Sequence, residues 1–234
     1  MRARLLIALG APLICALGSA PLVAKQAALP QVPAGWKLDT SATGDLSGDG
    51  MTDVAMVIRG DDPKLIVHND RLGQSELDTN PRRLLIFAGS RAGYRQIAAS
   101  DHLIPPAGDA ESSCLEDPLG EGEIAIARNV LSVKLHYWLS CGSWGVTANT
   151  YRFRLQSGRF RLTGFDQMEF MRNSGEGTEV SVNFLTGRKS ATKFAIDDSI
   201  PKRLKWTKVR PQRMYLDTLD LSDCVAIDKT TSMC

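Results

Sequence analysis

Three aspartates fall within nine residues in the stretch GDLSGDGMTDV, Gly44 to Val54, directly ahead of the apolar run Ala55 to Ile58. Carboxylates this close repel one another, so the cluster needs a solvated loop or a cation. Counted from Asp45, position three is Ser47, five is Asp49, six is Gly50, seven is Met51 and nine is Asp53. A hard cation such as calcium takes about six to eight oxygens. The loop offers carboxylates from Asp45, Asp49 and Asp53, the Ser47 hydroxyl or a water held by it, and the Met51 backbone carbonyl. Gly50 permits the sharp bend that turns the chain back toward an ion. An EF-hand would carry Glu at position twelve. Met56 stands there, in a stretch patterned as strand, so this is not an EF-hand. The expected ion is structural, tying the start of a strand to the body, with a dissociation constant on the order of 10⁻⁴–10⁻³ M. The alternative is an Asp/Gly-rich turn that holds no ion.

GDLSGDGMTDVAMVI resembles the FG-GAP and VCBS type of repeat, whose pattern runs G-D-x-N-G-D-G-x-x-D into a β-strand. The resemblance implies calcium held by Asp45, Ser47, Asp49, the Met51 carbonyl and Asp53. It covers about 15 residues. Ser47 replaces the usual Asn or Asp. The chain holds a single copy, so a closed propeller, which needs several blades, is not expected. The chain as a whole is similar to small exported bacterial proteins of uncharacterised role that carry one such loop ahead of a β-rich body.

The first residues read as an export signal: Arg2 and Arg4, then a mostly apolar run from Leu5 to Leu17, then small residues. Residues 1–24 are assigned to it, with Ala20 and Ala24 as alternative cleavage points. Residues 25–35 form a flexible lead-in, and 36–234 a single β-rich domain with a C-terminal tail from about 211. The whole chain has 28 Lys+Arg against 26 Asp+Glu. Without Arg2 and Arg4 it is neutral, which gives no reason to propose nucleic acid as a partner. The leader is too short and broken to span a bilayer. The expected compartment is the periplasm or the exterior. Beyond the leader lie Cys114, Cys141, Cys224 and Cys234. An even count in an exported chain points to disulfides. Of the possible pairings, Cys114–Cys141 would brace a loop against a hairpin end, and Cys224–Cys234 would close a small C-terminal ring. No C-x-x-C spacing suggests zinc.

From Met51 onward the chain reads as strand after strand, with TDVAMVIRG, RRLLIFAG, GYRQIAAS, EIAIA, VLSVKLHYW, TANTYRFRLQ, RFRLTGFDQMEF and TEVSVNFLT, and weaker SATKFAI and LKWTKV. A long irregular segment, Asp101 to Gly122, interrupts them. Brief helices fit only near Pro63 to Leu72 or Pro201 to Lys205. In YRFRLQSGRFRLTGF, a Ser157-Gly158 turn pairs Leu155 with Phe160 and Phe153 with Leu162 on a core face. It sets Arg154 opposite Arg161 on the outer face, where like charges are unfavourable. Glu179 on the next strand is the candidate compensating acid. The fold class is all-β: an antiparallel meander curled into a sandwich or open barrel, with one wet face.

The remaining candidates are weaker. His68, His102 and His136 have no metal-ligand spacing and are expected at the surface or half-buried. No G-x-S-x-G elbow is present. Asp61-Asp62, and Glu111 with Glu116-Asp117, are expected to be solvated loop acids. Trp138 and Trp144 are expected to pack in the core or against a disulfide at Cys141; exposed, they would stack on sugars or peptide side chains. Two basic clusters, Arg152, Arg154, Arg159 and Arg161, and Lys202 to Arg213 around Trp206, read first as solvated faces. They are the possible contacts, together with Trp144, for an anionic polymer, a membrane surface or an acidic partner. The expectation is an exported, non-catalytic binding or structural protein. The alternatives are a hydrolase of envelope polymers using acids of the Asp101 to Gly122 loop, and an inhibitor presenting a disulfide-braced loop.

Overall fold

The computed structural model describes residues 29–195, 205–222 and 224–233. They form β1 (Trp36–Gly44), β2 (Asp53–Gly60), β3 (Ile66–His68), β4 (Glu76–Asp78), β5 (Arg82–Ser90), β6 (Gly93–Ser100), β7 (Glu123–Ala127), β8 (Val130–Trp138), β9 (Gly145–Gln156), β10 (Arg159–Met171), β11 (Glu176–Asn183), β12 (Arg188–Ala195), β13 (Trp206–Lys208), β14 (Val225–Asp228) and β15 (Thr231–Met233). A 3₁₀ turn at Pro63–Leu65 is the one helical element among the described residues. No described helix is long and apolar enough to cross a membrane. The expected second helical site, at Pro201, lies outside the described residues.

Two antiparallel meanders carry the fold. A four-stranded sheet runs β1-β2-β5-β6 and a seven-stranded sheet runs β13-β12-β11-β10-β9-β8-β7. Neither closes into a barrel, and the arrangement is that of a β-sandwich. The strand reading from Met51 onward omits β1. Its sequence, WKLDTSATG, lacks a clean alternation because it is a half-buried edge strand. β2 is buried along almost its whole length. Ala55 and Val57 face the large sheet, while Val54, Met56 and Ile58 form a second cluster with Leu85, Trp36 and Val32. Burial on both faces explains its unbroken apolar run.

The β9–β10 hairpin follows its sequence pattern. Ser157 and Gly158 both have positive φ, 50° and 80°, as a tight hairpin turn of this kind requires. Leu155 pairs with Phe160, Phe153 with Leu162 and Arg154 with Arg161. Beyond Leu162 the ladder shifts at a bulge, and Gly164 pairs with Arg152. That extra residue lets Leu162 and Phe165, three positions apart, both enter the core. Glu179 is not the compensating acid. It stands opposite Met168, further along the sheet. Arg152 pairs instead with Asp166, and Arg159 makes a bidentate contact of 2.8 to 3.2 Å with Asp217. The acids that answer these arginines therefore come from β10 and the C-terminal segment.

The segments outside the sheets are packed. Leu103, Ile104 and Leu119 of the long irregular segment enter the main core, as do Leu216, Leu219, Ile227 and Met233 of the C-terminal part. Buried Lys189 pins the β14–β15 hairpin through Asp228 at 2.5 Å and the Thr230 and Thr231 hydroxyls at 3.0 and 2.9 Å. Desolvation alone would raise the Asp228 pKa. The Lys189 and Thr230 hydrogen bonds outweigh it and hold the carboxyl at about 2.

Charge is also buried at one end of the two central strands of the small sheet. Arg59 and Arg82 stand directly opposite each other across β2 and β5, at the positions that continue the inward faces of Val57 and Leu84. Arg82, with 3 % of its side chain exposed, forks onto both oxygens of Asp117 at 2.6 Å and reaches Asp39 at 2.6 Å. Asp39 lies 3.1 Å from Arg59, which also reaches Asp78 at 2.7 Å. Burial works against the Arg82 charge, but Asp117 and Asp39 outweigh it and raise its pKa. The ladder joins β1, β2, β4, β5 and the long irregular segment. Removing one partner of such a pair leaves buried charge uncompensated. Arg82→Met is therefore expected to lower the unfolding free energy by about 3 kcal/mol in urea melts. A loss below about 1 kcal/mol would contradict this role for the ladder.

Candidate functional site

The aspartate loop sits at the corner where the two sheets meet. Gly44 lies so close to Ile126 of β7 that an added Cβ would come within 2.6 Å of its side chain. Leu46 enters the main core. Asp53 is fully buried. Its Oδ2 accepts the Leu46 and Ser47 N–H groups at 2.8 and 2.9 Å, and its Oδ1 accepts the Gly89 N–H at 2.9 Å. Gly89 must be glycine, because a Cβ there would lie 2.1 Å from the Thr52 carbonyl oxygen. Asn129, at φ 60° in the tight β7–β8 turn, donates to the Asp45 carbonyl at 3.0 Å. The loop is thus held by β5 on one side and the β7–β8 hairpin on the other.

The outer half of the loop is polar and exposed. Asp45 accepts the Gly48 N–H at 2.6 Å, the Gly50 N–H at 2.9 Å and the Ser47 hydroxyl at 3.4 Å. The Gly50 N–H is the largest influence that holds the Asp45 carboxyl below the usual range, so it is ionised at neutral pH. Asp49 accepts the Met51 N–H at 2.8 Å. Among the described residues, no three His, Cys, Asp or Glu side chains are grouped as for a metal ion. The donors present, the Asp45 and Asp49 carboxylates, a hydroxyl and carbonyls, are the hard oxygens that suit calcium. Asp53 is turned away from them, toward backbone donors.

The acid-bearing loop forms a second concavity of about 380 Å³, lined by Glu116, Asp117, Glu121, His136, Trp138 and Ser140. The Cys114–Cys141 disulfide stands beside it, with Cα atoms 5.3 Å apart. It is backed by Leu115 bridging to Leu139 and by the Ser140 N–H on the Cys114 carbonyl at 2.8 Å. Cys224 is also disulfide-bonded. Cys234 lies outside the described residues. Both Asp117 oxygens are held by Arg82, so this acid is not free to move a proton. Glu116 accepts the Gln74 amide at 3.2 Å. Because Leu103, Ile104 and Leu119 are anchored in the core, the loop lies on the body and does not protrude.

Trp138 and Trp144 do not pack as expected. They are 37 % and 58 % exposed, and Arg172 lies over their rings at 4.8 and 5.6 Å. Arg172 also donates to the Leu139 and Ser143 carbonyls at 2.9 and 2.8 Å. The tryptophans clasp an arginine that holds the β8–β9 loop. Trp144 is not part of the arginine cluster. It precedes β9, and Arg152 follows after about 26 Å of extended chain. The three histidines are at the surface or half-buried, as expected.

The third candidate is the outer face of the large sheet. Strand alternation places Lys134, Thr150, Asp166, Met168 and Ser181 on the side opposite the core. They line a hollow of about 380 Å³. A second hollow of about 290 Å³ adjoins it, sharing Asp166 and Ser181 and adding Arg152, Arg154, Asn183 and Trp206. Arg159 and Arg161 lie on the same face beyond Arg154. Trp206, 37 % exposed, lines the same hollow as Arg152 and Arg154. Its signal was available: it sits in the second basic cluster, and β13 pairs with β12 to bring the two clusters onto one sheet. No protein-family model, curated protein or solved structure matches the chain, so the site is read from its own residues.

Proposed function

We propose that this is an exported, non-catalytic binding protein that engages its partner on the outer face of the large sheet. The observation that carries this reading is the pair of adjoining hollows with arginines and a tryptophan at one end. They form a shallow groove in which Lys134, Asp166, Ser181 and the arginines stand beside the apolar surface of Ala148, Met168 and Val180. A hydrolase would need an acid free to exchange a proton in a cleft, and Asp117 is held by Arg82. An inhibitor would need a projecting loop, and the Asp101 to Gly122 segment is anchored in the core. The leader pattern and the disulfide at Cys114–Cys141 support an oxidising, exported setting.

The aspartate loop serves this reading as a structural calcium site. Asp45, Asp49, the Ser47 hydroxyl and the Met51 carbonyl would hold the ion, with water completing its shell, while Asp53 fixes the loop to β5. Binding to the folded state alone raises stability by mass action. For a dissociation constant on the order of 10⁻⁴–10⁻³ M, about 10 mM calcium adds about 1–3 kcal/mol. The melting temperature should rise with calcium, fall with a chelator, and stop responding in Asp49→Asn. Melting indifferent to calcium would contradict the ion site.

The binding face is tested by filling the groove. Thr150→Trp places a large ring in the bigger hollow without touching the core. Surface plasmon resonance against isolated envelope polymer and envelope protein fractions should show at least a tenfold loss with an unchanged melt. Undiminished binding by this variant would contradict the reading. So would a polymer-hydrolysing activity that disappears in Glu116→Gln.

A further inference from the structure

The two sheets each contain a pair of arginines set directly across from one another. In the small sheet the pair is Arg59 and Arg82, answered by Asp39, Asp78 and Asp117. In the large sheet the pair is Arg154 and Arg161. Among the described residues no acid lies within ion-pair reach of either. Arg161 has one side-chain bond, from Nη1 to the Gln156 Oε1 at 3.3 Å, and its Nε is buried without a partner. Arg154 is exposed. The neighbouring arginines of the stripe are neutralised, Arg152 by Asp166 and Arg159 by Asp217. Within the stripe, and among the described residues, the charge without a counter-ion is therefore this one cross-strand pair.

Such a pair is unfavourable in the free protein. Cβ atoms directly opposite on a sheet lie about 5 Å apart, and like charges there destabilise. Two guanidinium forks at that spacing suit one oxyanion, since each offers parallel N–H donors to carboxylate or phosphate geometry. Arg154 also lines the smaller hollow, alongside Asn183 and Trp206. Trp206 is partly open to solvent. The Ser181 hydroxyl donates to Asp166, and the Asn183 carbonyl oxygen accepts the Leu185 and Thr186 N–H groups, so a ligand would meet the Ser181 oxygen as an acceptor and the Asn183 amide nitrogen as a donor. An anion at the clamp would thus continue into a groove furnished for hydroxylated rings. A lipid surface would instead want exposed apolar side chains around the cations, and near this clamp only Leu185 and Trp206 are large and exposed.

We propose that Arg154 and Arg161 clamp an acidic group of an anionic polysaccharide whose chain runs along the groove of the large sheet. This rests on the reading of that face as the binding surface. The clamp supplies charge recognition, and the hollows beside it receive the neighbouring sugar rings.

The test uses the full chain, with sodium polygalacturonate as the anionic probe and dextran as the neutral one, by isothermal titration at low salt. Wild type should bind polygalacturonate and ignore dextran. Arg154→Glu creates an opposite-charge pair with Arg161, so it should melt higher than wild type while binding at least tenfold more weakly. Arg154→Gln should bind weakly with a smaller gain in melting temperature. Failure of wild type to bind polygalacturonate, or unweakened binding by Arg154→Glu, would overturn the proposal. Stronger binding to polyglutamate or to anionic phospholipid vesicles would overturn the polysaccharide assignment. If Thr150→Trp loses envelope binding while Arg154→Glu does not, the clamp fails and the binding face stands. If Arg154→Glu loses binding while Thr150→Trp keeps it, the groove fails and the clamp stands alone.

Discussion

One buried carboxylate sets the geometry of this protein. Asp53 begins β2, is closed off from solvent, and holds three backbone N–H groups from two separate segments. A charged acceptor gives stronger hydrogen bonds than a neutral one, and leaving those donors unmet would cost about 1–3 kcal/mol each. The consequence is positional. Leu46 and Ser47 fold back over the strand start, Gly89 is drawn close, and the loop meets Asn129 across the sandwich. From that corner β2 carries apolar side chains to both of its faces, and the large sheet receives the lining it needs.

With the corner fixed, the distribution of charge follows. At one end of the small sheet's central strands, inward-facing arginines are embedded in a ladder of aspartates, and the ladder holds the long irregular segment to the body. On the large sheet's outer face the stripe is balanced at both flanks but not at its centre. The same local motif, two arginines opposed across antiparallel strands, is thus a structural rivet in one sheet and an open pair in the other. Burial separates them: a buried pair cannot persist without counter-charge, whereas in the second pair Arg154 is exposed and water screens its charge. The binding face proposed above is accordingly the wet face, where the opposed pair is left without counter-charge.

Most of the large sheet is legible in the sequence, because period-two alternation with turn residues between strands is a local signal. EIAIA and VLSVKLHYW coincide with β7 and β8, and the Ser157-Gly158 turn fixes a register that reads directly. What stays hidden depends on distant partners. β1 shows no alternation, since an edge strand is only half buried. The compensation of Arg152 and Arg159 by Asp166 and Asp217 depends on a bulge and on how the C-terminal segment returns. Arg82 is an intermediate case. Alternation with Leu84 and Ile86 places it on the core face, which signals a buried ion pair, but no pattern names Asp117 as its partner. In the aspartate loop, the motif shows which oxygens could serve a cation. It does not show that Asp53 turns inward, because that depends on the approach of Gly89 from another strand.

Native-state amide hydrogen exchange of the unmodified protein tests the role of Asp53 most directly. The Leu46, Ser47 and Gly89 amides should exchange only through global opening, at the rate of the central β2 and β5 amides. The amides of Thr52 and Arg91, exposed and outside the strands, should exchange far faster. If the Leu46, Ser47 and Gly89 amides instead exchange as fast as those of the exposed loop, the buried carboxylate does not hold the corner and the account fails.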